Sequence, residues 1–182
     1  MLFQIHIEAM AIVDTVWSLY RQADSEIPTD VIFRVTEKDS EKTGEVWAHW
    51  LLLAGSSPVF RKQFFGPMKE KQEVIEIQDT TVEAFTVMIN FMYRAPAVSF
   101  TILQNCPQKL CEILNISERY QVVSLTGIVK ECLQKLNITS QNMMFTAATA
   151  KNSAVFDDIS KILIGKCKKF LTKQLKSVLF HA

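Results

Sequence analysis

Asp30-Val-Ile-Phe-Arg-Val-Thr36 is followed, after a polar loop, by Glu45-Val-Trp-Ala-His-Trp-Leu-Leu-Leu-Ala-Gly-Ser-Ser-Pro-Val-Phe60. Asp30–Val35 alternates and is rich in β-branched residues, which reads as a strand. Glu37–Gly44 is polar and fits a hairpin loop. Glu45–Ala48 resumes as a second strand, with Val46 and Trp47 on opposite sides. Leu51, Leu52 and Leu53 then open a short buried helix. Gly55-Ser-Ser57-Pro58 ends that helix and begins the next, with Ser57 as N-cap and Pro58 at the first helical position, where an N–H is not needed. Val59, Phe60 and Phe64 fall on the inner side of this second helix, and Gly66-Pro67 closes it.

Working outward, Glu73–Ile77 is a third strand. A helix over Val82–Tyr93 follows, with Thr80 or Thr81 at its cap and Phe85, Met88, Ile89 and Met92 on its face. Upstream, Ser25–Asp30 is a turn around Pro28. Residues 7–22 read as a helix, with Met10, Val13, Trp17 and Tyr20 in one stripe and Ile12, Val16 and Leu19 flanking it. So wide an apolar face either packs on its own domain or is shared with a second subunit. Downstream of Arg94-Ala-Pro96 only Val98–Phe100 looks extended, and helices are expected near 107–116, 122–136, 140–150 and 155–177. Leu125, Val129, Leu133 and Leu136 line the second of these, and Ile159, Leu163, Cys167 and Leu171 the last. The order is helix, three short strands threaded with helices, then all helix, an α+β class.

At 182 residues the chain has room for one domain, or one with a smaller helical extension. A net charge of +1 gives no general basic field of the kind a nucleic-acid binder carries. The charge is uneven: seven lysines against two aspartates from Lys151 onward give +5 there and leave −4 before it. A solvated basic helix face accounts for this, though acidic lipid or nucleic acid would also suit it. Cys106, Cys111, Cys132 and Cys167 form no close pair, and only His6, His49 and His181 accompany them, so no zinc-type spacing arises. The N-terminus has no basic flank and is interrupted by Glu8 and Asp14; no apolar run reaches membrane-spanning length. Reduced thiols in a cytoplasmic or nuclear protein are the expectation. No phosphate loop, GxSxG or HExxH motif is present, and no cofactor or metal is expected.

Taken in order, Asp30–Val35, Trp47–Ala54, Ser57–Phe60, Phe64-Phe-Gly-Pro-Met-Lys-Glu70, Ile75–Asp79 and Ala84–Tyr93 resemble a BTB (also called POZ) domain. The family usually continues with a glycine-containing turn, where this chain has Arg94-Ala-Pro96. Residues 107–136 resemble the closing helices of that domain, and 137–182 the first helices of a BACK domain. The expected division is therefore 1–136, a BTB/POZ domain with its N-terminal dimerisation helix, and 137–182, a truncated BACK-like extension. The implied fold is a small three-stranded sheet wrapped by helices, with an N-terminal helix exchanged between subunits.

The resemblance implies binding rather than catalysis. Such domains usually form homodimers, which would use Met10, Val13, Trp17 and Tyr20, with Leu51 and Leu52 at the centre of the two-fold interface. Many members bind the scaffold of a cullin-three-type ubiquitin ligase through a hydrophobic–x–Glu triplet, matched here by Met68-Lys69-Glu70. Phe65 would add buried area, and Tyr120, on the far side of the groove, would meet the scaffold. Other members bind corepressors or serve structural assemblies. No MATH, Kelch or zinc-finger module lies within these residues, so either a surface of this small chain recruits a substrate or the substrate module is lost or lies outside these residues. Three residues are expected to be structural. Asp30 and His49 are placed to meet through a hydrogen bond, and a lone histidine without a nearby nucleophile is a poor candidate base. Asp79 lies where a carboxylate can cap the Val82 helix or the turn before it. Neither nucleic acid nor membrane is expected as a direct partner.

Overall fold

The β-branched and aromatic residues of strand β1 (Val31–Thr36) stand at alternate positions, so Val31, Phe33 and Val35 share one buried face. A computed structural model describes residues 29–37, 42–67, 69, 73–94, 106–152 and 157–180 of the chain. Several expectations lie outside the described residues: the helix over 7–22 with Met10, Val13, Trp17 and Tyr20, residues 25–28 of the turn around Pro28, the middle of the loop over 37–44, the extended Val98–Phe100, Met68, and Glu70.

β1 is the middle strand of a mixed sheet ordered β2-β1-β3. It pairs antiparallel with β2 (Thr43–Ala48), Phe33 opposite Val46, and parallel with β3 (Val74–Ile77), Phe33 opposite Ile75. A parallel pair cannot be joined by a tight turn. The connection here runs through β2 and two short helices, α1 (Trp50–Ser56) and α2 (Pro58–Phe65). On the outer face Arg34 bridges Glu45 at 3.0 Å and Glu76 at 3.1 Å, tying all three strands. These side chains are well exposed, so the pairs add little stability.

Phe33 is the hub of the core. Its ring centroid lies 5.1 Å from Phe85, 5.5 Å from Phe60 and 6.5 Å from Phe64, all tilted contacts of the favoured kind. Phe60 and Phe64 come from α2, which begins as the sequence requires. Ser57 Oγ accepts from the Phe60 N–H at 3.2 Å, and Pro58 occupies the first turn. Helix α3 (Val82–Arg94) supplies Phe85, Met88 and Ile89 as buried residues.

Several expectations need correction. Of the three leucines in α1 only Leu53 is buried; Leu52 is half-buried and Leu51 is 75% exposed. Consecutive helical residues step about 100° round the axis, so three in a row cannot all face one core. Asp79 does not cap α3. The Val82 N–H donates to Glu37 Oε1 at 3.0 Å and the Ala84 N–H to Thr81 Oγ1 at 3.2 Å. Asp79 instead takes a left-handed conformation, φ 64°, in the turn before the helix, which aspartate tolerates better than most residues.

Helices α4 (Pro107–Arg119), α5 (Val123–Lys135), α6 (Met143–Asn152) and α7 (Asp157–Phe180) follow. The chain divides into two compact units, one of residues up to Val98 with Ile116–Leu125, the other of Ser99–Asn115 with Thr126–Ala182. In the first unit α4 ends in a left-handed Gln121, φ 55°. The Gln121 N–H donates to the Glu118 carbonyl at 3.0 Å and the Val122 N–H to the Ser117 carbonyl at 2.8 Å. This is the double bond pattern that closes many helices, with glutamine where glycine is usual. In the second unit Thr139 and Asn142 exchange backbone–side-chain bonds at 2.9 and 3.3 Å ahead of α6, a reciprocal cap. Lys166 of α7 donates to the carbonyls of Gln134, in the last turn of α5, and Leu136, just past it, where a cation suits the negative helix end.

Candidate functional site

Helix α2 buries Phe60 and Phe64 and therefore turns Pro58, Arg61, Lys62 and Phe65 outward. Arg61 and Phe65 are one turn apart on that outer face. Arg61 Nε donates to the Ala54 carbonyl at 3.1 Å, which pins the guanidinium over the end of α1. Beside it is a groove of about 410 Å³, lined by Gly55, Pro58, Arg61, Phe91, Gln121 and Val123 among others. Among the described residues its lining holds a cation and no carboxylate, and Val123 stands exposed on its rim. Phe65, 57% exposed, ends the same helix. An aromatic ring in water one helical turn from the groove's cation is suited to a protein surface bearing apolar and acidic groups.

Tyr120 does not stand on that surface. It is 8% exposed, stacked on Phe60 at 4.4 Å between centroids and edge-on to Phe85 at 6.0 Å. Burial pushes its phenol above the ordinary range, against a weaker pull from Arg119. Its backbone carbonyl accepts from Ser57 Oγ at 2.5 Å, so one buried serine both caps α2 and ties down the turn after α4. Tyr120 thus supports the groove from beneath, and the neighbouring Gln121 and Val123 line it. Sequence reasoning missed Arg61 and Val123; the spacing of Arg61 and Phe65, with Phe60 and Phe64 facing inward, was the signal available for the first.

Asp30 and His49 do not bond to each other. Asp30 Oδ1 accepts from the Trp50 N–H at 2.7 Å, capping α1, while both the His49 N–H and Nδ1 lie 2.8 Å from the Tyr93 hydroxyl. The hydroxyl accepts from the backbone N–H and shares a second hydrogen bond with Nδ1, whose direction follows which ring nitrogen, Nδ1 or Nε2, carries the hydrogen. That Nε2 and the Trp50 indole N–H are buried without a hydrogen-bond partner. Trp50 stacks on Phe64 at 5.7 Å. Leu51, exposed, and Leu52, half-buried, present an apolar edge of α1. Among the described residues no cluster of three or more His, Cys, Asp or Glu side chains is arranged to hold a metal, and no helix is long and apolar enough to cross a membrane. Burial drives the Cys111 thiol up to about 11, and the nearby Glu112 adds to the effect.

The BTB/POZ domain family matches residues 19–137. Met10, Val13 and Trp17 precede the matched span. The human BTB/POZ domain-containing protein 9 is 33% identical over 105 residues, covering 56% of this chain and 17% of that protein. The Arabidopsis thaliana BTB/POZ and MATH domain-containing protein 3 is 29% identical over 186 residues, covering 85% of this chain and 43% of that one. The chain therefore spans less than half the length of either relative. The solved BTB domain of zebrafish PATZ1 superimposes with a TM-score of 0.53 at 16% identity, over 70% of this chain and 92% of that domain, which is a likeness of fold. Helices α6 and α7 follow the matched residues as a BACK-like helical extension. The α+β sheet-and-helix fold and the family match agree, and the chain belongs to the BTB/POZ domain family, a class of non-catalytic protein-interaction modules.

Proposed function

We propose that this chain is a homodimeric docking module that recruits a partner protein, of corepressor or structural kind, without ligase function. Residues 1–136 form the docking domain and 137–182 its BACK-like extension. The observation that carries the reading is the outer face of α2, where exposed Phe65 stands one turn from Arg61 at the edge of a cationic groove. Self-association is supported by Leu51, an apolar side chain left in water beside a tightly built core. The family's relatives carry the same domain in longer chains with other modules, such as MATH, which supports a docking role over chemistry. Free thiols at all four cysteines suit a cytoplasmic or nuclear setting.

A second reading, an adaptor for the cullin-three-type scaffold, is favoured by the exposure of Phe65 three residues before the Met68-Lys69-Glu70 triplet. Light scattering during size exclusion, with and without an excess of the cullin N-terminal domain, separates the two. An unchanged dimer supports the docking module without ligase function. A shift to a two-plus-two complex, lost in Phe65→Glu, replaces it with the adaptor.

A further inference from the structure

In α7 the residues Ile159, Leu163 and Cys167 recur at every fourth position and are buried, with Cys167 Sγ against the Met143 carbonyl of α6. The same row continues through Leu171 and Leu175, which are 45% and 62% exposed, and in sequence to Leu179. The packing that seats the first half of the helix thus stops near Phe170, while the apolar row that made it continues. From Lys168 to Phe180 the sequence holds Lys168, Lys169, Lys173 and Lys176 and no Asp or Glu. All four lysines are exposed, unlike Lys166, which is held by the end of α5.

We infer that the second half of α7 is a docking helix for an acidic, leucine-faced helix of a partner protein. A row with four-residue spacing is the ridge that fits the groove of a second helix, so a helical partner continues the contact that α6 begins. Exposed Lys168 and Lys176, which run along one flank of the row, choose the partner's charge. A second copy of α7 would oppose lysine to lysine. A bilayer surface calls for a broad apolar face, whereas exposed Lys168, Thr172 and Lys176 run along one flank of this row. The face is independent of the α2 groove, so the two readings fail separately.

The test uses the full chain and a synthetic helical peptide with leucine at every fourth position flanked by glutamates, read by fluorescence anisotropy. The same peptide with lysines in place of glutamates is the control. Binding of the glutamate peptide, weakened by salt and lowered about tenfold or more by Leu171→Asp with Leu175→Asp, is expected. Both leucines are exposed, so circular dichroism should match the parent chain. Lys168→Glu with Lys176→Glu, which keeps the apolar row, should shift the preference toward the lysine peptide. Equal binding of both peptides, or of neither, overturns the inference. So does binding to phosphatidylserine vesicles without binding to the peptide, or a self-associated mass that Leu171→Asp abolishes.

Discussion

Ser57→Ala removes a hydroxyl that serves two buried partners. It takes the N-cap from α2 by losing the bond from the Phe60 N–H, and it leaves the Tyr120 carbonyl without its donor. Loss of a serine cap costs about 1 kcal/mol. An orphaned buried acceptor costs about 1–3 kcal/mol more. The sum, about 2–4 kcal/mol, is a large part of a typical domain's stability. For a chain of this length it lowers Tm by roughly 4–16 °C. Urea unfolding followed by circular dichroism gives the free energy directly, and thermal melting checks it. Ser57→Gly separates the two bonds, because glycine is itself a tolerable N-cap that loses only a few tenths of a kcal/mol there. A glycine variant nearly as unstable as the alanine variant assigns the loss to Tyr120. A Ser57→Ala protein within about 0.5 kcal/mol of the parent would refute the view that this serine locks α2 to the turn beneath the groove.

Tyr93→Phe strips the shared partner from the His49 N–H and Nδ1 and should destabilise by about 1–3 kcal/mol in the same urea assay. Cys111 should resist iodoacetamide at pH 8 in the folded chain and react once urea unfolds it, as mass spectrometry would record. Its folded pKa is raised, so its contribution to stability is whole below about pH 9 and is lost as the pH climbs toward about 11. Midpoints measured across that window should fall, and less so in Cys111→Ala. Leu51→Asp replaces an exposed side chain, so it should leave the melting temperature within a few degrees while converting a dimer to monomer by light scattering.

The sheet was legible because alternation is a local property: Val31, Phe33 and Val35 face the core whatever covers them. The start of α2 was legible for the same reason, since Ser57-Pro58 writes a cap within four residues. The site was harder. Asp30 has two donors at neighbouring positions to choose from, and the backbone N–H of Trp50, rather than the His49 ring, takes it because Tyr93, forty-four residues on, holds the histidine. Leu51 and Leu53 are alike in composition and differ only in which side of a short helix they occupy. Tyr120 was mistaken for a surface residue because its neighbours in sequence are polar, while its position depends on Phe60 and Phe85 and on a bond spanning sixty-three residues. Local patterns set the elements; the long-range contacts that aim each side chain inward or outward leave no local mark.

The most direct test of the central reading is the mass of the full chain in solution, measured by light scattering across a concentration series. The docking-module account predicts a stable dimer, twice the 20.8 kDa of the chain, that Leu51→Asp reduces to monomer. A folded protein that stays at 20.8 kDa at every concentration would contradict it.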